Sequence, residues 1–534
     1  MAMLRRHFLP TLAAPLLAAP AKPNIILILA DDMGFSDIGC YGSEIPTPNI
    51  DALAKGGIRF THFYNNARCC PTRSSLLSGL YAHQTSVGHM VDNGRELPGY
   101  RGDLSPNCLT IAEALKRGGY QTRMAGKWHV TPINKSKHNW PNQRGFDHFF
   151  GTIHGAGSFY DPFSLIEDNQ PLTPGKDFYY TNAIADKSVD YIRDCTTRKD
   201  PFFLYTAFTA PHWPMHAFPD DIARHRNTYR KGWDQLRLDR HQRQLELGIV
   251  DRKWPLAPRD PSVPAWVDAP NKEWQIERMA VYAAMVERMD QGVGRMIASL
   301  KQTNSFDNTL ICFLSDNGGC AEELNRQMKA PHLPLKTRTG DAMYPGNDPA
   351  RMPGPENTYQ SYGIGWANAS NTPFRLYKHW VHEGGISTPF IAHFPGQVKT
   401  PGSITHQPGH IVDAMATFLD ASKTAYPSSA PPPEGTSILP ALKGKDTLSK
   451  RTLYWEHEGN RAIRQGRHKL VSKYPGTWEL YDLSADRTET KDLAAASPAL
   501  AKSLAASYDQ WAKRVGVEDW DKVKAAPKTP VLLD

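Results

Sequence analysis

Two textures of apolar patterning divide the chain. In the first, short continuous runs recur: Asn24-Ile25-Ile26-Leu27-Ile28-Leu29-Ala30 is apolar and β-branched throughout, the mark of a strand covered on both faces of a parallel sheet. Residues 57–64, 201–209, 310–314 and 389–394 carry the same mark, and a further strand leads into Gly126-Lys127-Trp128-His129. Helical segments alternate with these strands. Residues 47–54 form a short one, Thr110-Ile111-Ala112-Glu113 is a capping box that opens another, and 410–419 reads as a third. Between Ile276 and Leu300 an apolar stripe of Ile276, Met279, Val286, Met289, Val293, Met296 and Leu300 predicts a long helix packed on a core. In the second texture, after about residue 450, strands of three or four residues (453–456, 462–464, 468–471, 478–481) alternate with tight turns, and a helix follows over 498–515.

This alternation predicts an α/β fold: a large, mostly parallel central sheet sandwiched by helices, with a smaller C-terminal α+β domain built on an antiparallel sheet. The expected division is 22–449 and 450–534, after a proline-rich connector at 426–433. Two stretches resist the pattern. Residues 224–253 hold nine Lys/Arg against four acids, with Asp234/Arg237 and Asp239/Arg243 at helical pair spacing, and so predict a solvated helix. Trp233 and Trp254 within that stretch suit the wall of a sugar site as an alternative. Residues 321–376 read as loop, long enough to imply a functional role.

Composition narrows the class. With 40% hydrophobic and 22% charged residues the chain is globular, and no uncharged apolar run reaches the roughly 20 residues of a bilayer span. Residues 1–21 stand apart: Arg5-Arg6, an apolar run over 8–19 and Ala19-Pro20-Ala21 predict a signal peptide, of general or twin-arginine type, and a periplasmic or secreted product. Removing two arginines lowers the formal charge from +8 to +6, a mild excess that suits an anionic substrate without implying nucleic acid. Seven cysteines are too few for a disulfide framework and odd in number, and neighbours such as Cys69 and Cys70 are poorly spaced to bridge.

Chemistry gathers at the strand ends. Asp31-Asp32 follow the first strand, and Asp316-Asn317 follow the 310–314 strand; each alone also reads as a turn. Together they are hard oxygen ligands, suited to Ca²⁺ or Mg²⁺ and not to zinc. Lys127, His129, His212 and Lys378 stand at other strand ends. Cys69-Cys70-Pro71-Thr72-Arg73 starts a helix, where free N–H groups and the dipole attract anions. A divalent cation, several basic groups and a helix N-terminus describe a site for a tetrahedral oxyanion ester.

The segment from Cys69 to Gly79 resembles the type I sulfatase signature, Cys-x-Pro-Ser/Thr-Arg-x-x-Leu-x-Thr/Ser-Gly, at every fixed position. Residues 24–34, 126–129, 315–319 and 378–385 resemble that family's other blocks in its order, so the resemblance spans essentially the whole mature chain. Thr47-Pro48-Asn49-Ile50-Asp51, His89-Met90 and residues 361–366 are similar to the bacterial arylsulfatase type. The resemblance implies the alkaline phosphatase-like fold and a sulfuric ester hydrolase acting on an aryl sulfate or a sulfated carbohydrate. It implies one Ca²⁺ (or Mg²⁺) held by Asp31, Asp32, Asp316, Asn317 and the modified Cys69. Cys69 would be converted to formylglycine by a separate maturation enzyme; one hydroxyl of the aldehyde hydrate would attack sulfur and the other would later expel sulfate. Arg73 would hold the hydrate, Lys127 and Lys378 the sulfate oxygens, His129 would accept a proton in the elimination, and His212 would protonate the leaving alcohol. Cys70 departs from the family's usual small residue. A formylglycine-dependent phosphonate monoester or phosphodiester hydrolase, or an unmodified glycan-binding homologue, are the alternatives. The Glu456-His457-Glu458-Gly459-Asn460-Arg461 loop is expected to reach the pocket mouth.

Overall fold

The structure is a computed structural model that describes residues 22–133, 136–198 and 200–530; the leader expected over 1–21 lies outside them. In chain order the strands of the main sheet are β1 (Asn24–Ala30), β2 (Ile58–Tyr64), β3 (Gln121–Lys127), β4 (His148–Thr152), β5 (Leu165–Glu167), β6 (Gln170–Pro171), β7 (Phe202–Ala207) and β8 (Thr309–Ser315). A separate two-stranded ladder, β9 (Tyr344–Pro345) with β10 (Thr358–Tyr359), interrupts them before β11 (Ser387–His393), β12 (Ser403–Thr405) and β13 (Gly409–His410) complete the main sheet. Its order is β12-β2-β11-β8-β1-β7-β3-β4-β5-β6, with β13 also on β2.

The strand at the centre, β1, pairs in parallel with β7 and β8, and every one of its residues is buried. Its side chains alternate between two cores, as the pleat requires. Ile26 and Ile28 join one with the long helix Lys272–Gln302 and the helix Tyr180–Thr196. Ile25, Leu27 and Leu29 join the other with the helices Cys69–Ser78, Ile111–Arg117 and Asp413–Ser422. Because β11 runs antiparallel to β8, the residues preceding β11 lie at the same edge as the carboxyl ends of β1, β3, β7 and β8. That edge is where an open α/β sheet gathers ligand-binding groups.

A small four-stranded antiparallel sheet follows, β14 (Thr452–His457), β15 (Asn460–Gln465), β16 (His468–Ser472) and β17 (Glu479–Asp482), covered by the helix Pro498–Val515. The fold class is therefore the expected one. Among the described residues, no helix is long and apolar enough to cross a membrane. All seven cysteines are buried free thiols.

Four expectations need correction. The arginine-rich stretch is two helices, Pro219–Tyr229 and Gly232–Leu247, and it is not simply solvated. Arg240 is fully buried against Asp37 at 2.6 Å and Glu44 at 2.9 Å, partners some two hundred residues away that helical pair spacing cannot reveal. Asp234 pairs with Arg259 and Asp239 with Lys231, so neither expected pair forms. Trp233 packs edge-on against Trp266 and Trp366, with ring centres 4.8 and 5.4 Å away; Trp254 is buried beside His62. Trp233 is a core residue, and Trp254, also in that core, borders a surface pocket with His62 and His406 and not the catalytic centre. The 321–376 segment holds the helix Gly363–Ser370 besides loop, and the expected 410–419 helix starts at Asp413 because His410 is in β13.

Candidate active site

β1, β3 and β8 deliver Asp31, Asp32, Lys127, Asp316 and Asn317 at their carboxyl ends; His212 lies in the loop after β7, and Lys378, expected at a strand end, lies instead in the loop before the short helix Glu383–Ile386 that leads into β11. Asp31 and Asp32 leave β1, with Asp32 in the left-handed region (φ 62°). The Asp32 amide donates to Asp316 Oδ1 at 3.2 Å, and Asn317 Nδ2 donates to Asp32 Oδ1 at 2.7 Å, which locks the β8 end onto the β1 end. Arg73, one helical turn beyond Cys69, donates from Nε and Nη2 to Asp316 Oδ2 at 3.1 and 2.8 Å, and from Nη1 to the Lys127 carbonyl at 3.0 Å. Lys127 Nζ reaches Asp31 Oδ2 at 2.6 Å, and Lys378 Nζ reaches Asp32 Oδ2 at 2.9 Å. His212 Nε2 stands 3.4 Å from Asp32 Oδ2. All of these side chains are at most 5% exposed.

Cys69 begins its helix after Arg68, which is extended and contributes no side-chain cap, so the first N–H groups are not satisfied in that way. Cys69, Cys70 and His129 lie close enough for their ligand atoms to fall within 4.8 Å of one another, and His129 Nε2 is 3.3 Å from Cys70 Sγ. Hydrogen bonding from Cys70, with Lys127 and His129, holds the Cys69 thiol well below its ordinary range despite burial, whereas burial raises Cys70. Gly155 packs on His129 so closely that a Cβ there would lie 2.0 Å from the imidazole Cε1.

The charges explain what the carboxylates are for. Burial raises the Asp31 carboxyl despite Lys127 and Arg73, and burial together with Asp31 pushes Asp316 up to about 8. Asp32 is opposed by burial yet held low by Lys378 and His212. Three carboxylates thus share one dry volume at a high cost in desolvation, each facing one buried cation. Asp31 Oδ1 and Asn317 Oδ1 are also buried without a hydrogen-bond partner. An all-oxygen set with orphaned acceptors fits a hard divalent cation.

Both imidazoles are neutral in this setting. Burial, joined by Lys378 and Lys127, outweighs Asp32 and brings His212 down to about 4. Burial, joined by Lys127, outweighs Cys69 and brings His129 to about 4.

The structure thus brings together Asp31, Asp32, Cys69, Arg73, Lys127, His129, His212, Asp316, Asn317 and Lys378. It adds a rim that the sequence did not single out. Glu322 accepts from Arg68 Nη1 and Trp213 Nε1, both at 2.8 Å, and burial is overcome by Lys378 and Arg68 to hold its carboxylate low. His154 lies 3.4 Å from Asp92 and stacks near His332. These residues sit in aperiodic loops, so only spatial adjacency finds them. From the 456–461 loop, Glu458 reaches His379, the residue after Lys378, at 3.1 Å; Glu456 instead binds His83 at 2.7 Å.

Comparison with known proteins agrees with this geometry. Residues 23–424 match the Sulfatase family model, and residues 374–510 match that of the N-sulphoglucosamine sulphohydrolase C-terminal region. The chain is 34% identical over 525 residues to an uncharacterised sulfatase of Schizosaccharomyces pombe, covering 91% of this chain and 93% of that one. It is 33% identical over 425 residues to an arylsulfatase of Klebsiella aerogenes, covering 77% and 87%. The solved structure of Ps i-CgsB in complex with k-i-k-neocarrahexaose superposes with a TM-score of 0.67 at 25% identity, over 93% of this chain and 94% of that one. Motif, site and relatives converge: the chain belongs to the sulfatase family of the alkaline phosphatase superfamily and is a sulfatase enzyme.

Proposed function

We propose that this sulfatase hydrolyses a sulfate monoester of a carbohydrate, with Cys69 matured to formylglycine and one Ca²⁺, or Mg²⁺ in its place, held by Asp31, Asp32, Asp316, Asn317 and the modified residue 69. The observation that carries the reading is the convergence of three buried carboxylates, Asn317, Arg73, Lys127 and Lys378 on the start of the Cys69 helix. When bound, the cation would supply positive charge to the sulfate oxygens and favour the ionised nucleophile. Lys127 and Lys378 are placed to hold sulfate oxygens, and Arg73 to neutralise charge beside residue 69. His129 is within reach of residue 69 to take a proton, and His212 Nε2 faces the same volume to protonate the leaving oxygen. The carbohydrate assignment draws on the complex of Ps i-CgsB with k-i-k-neocarrahexaose and on the N-acetylgalactosamine-6-sulfatase of Homo sapiens, 25% identical over 493 residues. The half-buried Trp213 beside His212 offers an apolar face at the rim.

Export under the leader at 1–21, the division at 449/450, and maturation by a formylglycine-generating enzyme belong to the same proposal. The test is a panel of sulfated oligosaccharides, nitrophenyl sulfate and a phosphate diester, run beside mass spectrometry of the Cys69 peptide after co-expression with the maturation enzyme. The expected result is a peptide in which the thiol has become an aldehyde, and the highest kcat/KM on a sulfated sugar. A phosphodiester preference would overturn the sulfate assignment, an aryl preference the carbohydrate assignment, and a persistent thiol in active protein the formylglycine.

A further inference from the structure

Outside the catalytic centre, three imidazoles surround one carboxylate. His89 Nδ1 and His457 Nε2 lie 3.2 and 3.5 Å from Glu458 Oε1, and His379 Nδ1 lies 3.1 Å from Glu458 Oε2. The ligand atoms of His89, His457 and Glu458 fall within 4.8 Å of one another. The contacts from His89 and His457 are not well-formed hydrogen bonds: His89 Nδ1 is buried without a partner, and so are both ring nitrogens of His457, a residue with no solvent exposure. A neutral imidazole carries one N–H, and leaving it unpaired in a dry interior is unfavourable.

We infer that His89, His457 and Glu458 form a second metal site, one that takes Zn²⁺ and ties the β14–β15 turn to the wall of the catalytic centre. Zinc bonds of about 2.0–2.2 Å in tetrahedral array place neighbouring donors about 3.3–3.6 Å apart, and the two imidazoles stand 3.2 and 3.5 Å from the carboxylate oxygen, within a small adjustment of that spacing. Nitrogen donors set this site apart from the all-oxygen set at Asp31 and Asp316 and select zinc over calcium. His379 lies outside the ion's coordination: its Nε2 accepts from Asn460 Nδ2 at 3.3 Å, so its Nδ1 carries the proton and donates to the other carboxylate oxygen at 3.1 Å, orienting Glu458. Charge balance points the same way. Among the described residues Glu458 has no Lys or Arg partner, because its cationic neighbour Arg68 is committed to Glu322 at 2.8 Å.

The backbone also favours a selected side chain. Glu458 (φ 52°) and Gly459 (φ 80°) form a two-residue hairpin turn, where Asn-Gly or Asp-Gly is the relaxed choice. His379 is likewise left-handed, at φ 89°. The position gives the ion its role: His379 follows Lys378, and Met90, next to His89, contacts Arg68 beside Cys69. A zinc ion here fastens the small domain to both flanks of the catalytic site.

The test is equilibrium dialysis of the mature enzyme against Zn²⁺ in excess Ca²⁺, with bound metal counted by mass spectrometry and Co²⁺ as the spectroscopic probe. One equivalent of Zn²⁺ is expected, with visible Co²⁺ bands of tetrahedral nitrogen–oxygen coordination and no thiolate charge-transfer band. Glu458→Gln and His457→Ala should each weaken binding by at least about 10–100-fold. Cys70→Ser should leave it intact, which excludes the Cys69/Cys70/His129 cluster as the binder. Zn²⁺ should also raise the melting temperature of the wild type but not of Glu458→Gln. Wild-type protein that retains no zinc and gains no thermal stability from it overturns the inference. So does zinc held equally well by either ligand variant, or a signal lost in Cys70→Ser.

Discussion

The hydrogen bond from His212 Nδ1 to the Trp213 carbonyl, 2.5 Å long, fixes which nitrogen of that imidazole carries the proton. In the neutral ring Nδ1 is the donor, so Nε2, the atom facing Asp32 and the catalytic volume, holds only a lone pair. His212 therefore donates to a leaving oxygen only as an imidazolium. Burial has lowered it to about 4 in the free enzyme, and the negative charge of a bound sulfate ester raises it. Dependence on His212 must then scale with how badly the leaving group needs a proton. For His212→Ala, kcat/KM on an alkyl sugar sulfate should fall by roughly 10²–10⁴, while nitrophenyl sulfate, whose phenolate departs unaided, should lose less than about tenfold. Equal losses on the two substrates would remove the general-acid role and leave His212 a positioning residue.

Between elements, the segment that carries Lys378 is held from below by the small domain. Glu383, five residues on, accepts from Lys469 of β16 and from Arg487, each at 2.9 Å, while Lys469 also reaches Glu489 at 2.8 Å. None of these side chains touches solvent. Burial would raise the Glu383 carboxyl, yet Lys469 and Arg487 bring it to about 2. Removing one member strands the opposite charge in a dry interior, so Lys469→Met should lower unfolding stability by about 3–5 kcal/mol, read from the urea midpoint. Replacing Lys469 and Glu383 together by apolar residues should cost much less; equal losses would show that packing, not charge, holds the joint. This joint also marks the limit of what the sequence reveals. Strand patterns and turn residues placed Asp31, Asp316 and Lys127 at strand ends, because burial on both faces writes a continuous apolar run. Arg240, Lys469 and Arg487 carry no such mark: a buried cation looks like a solvated one until its distant acid is found. Trp233 and Trp254 misled for the converse reason, since composition cannot tell an aromatic at a ligand wall from one in a core.

Across the whole molecule, many imidazoles are buried in their neutral form. His216 is the clearest case away from the catalytic centre. Its Nε2 donates to the Thr358 carbonyl at 2.7 Å, and its Nδ1 accepts from the Phe159 amide at 3.3 Å, so both nitrogens are used by the neutral ring alone. Protonation would set two N–H groups against each other at Nδ1 and place a charge where there is no solvent. Burial accordingly lowers His216 to about 4, and burial likewise lowers His393 to about 4 and His62 and His410 well below the usual value. In each the folded value lies under the unfolded one of about 6.5. The sign follows: the unfolded chain binds more protons, so the stability these groups contribute is complete above about pH 6.5 and is lost as pH falls toward 4. For His216 alone the loss across that window is about 3 kcal/mol. Carboxylates paired as strongly as Glu383 titrate below the window, while Asp316 and Asp290, raised to about 8 and about 6, hold protons in the fold and act with the opposite sign; the lowered histidines outnumber them. The melting temperature should therefore fall from pH 6.5 to 4.5. In His216→Gln the whole curve should start lower but descend less steeply. A melting temperature independent of pH over that range, or a variant slope as steep as the wild type, would mean that these histidines are not the groups that take up protons on unfolding.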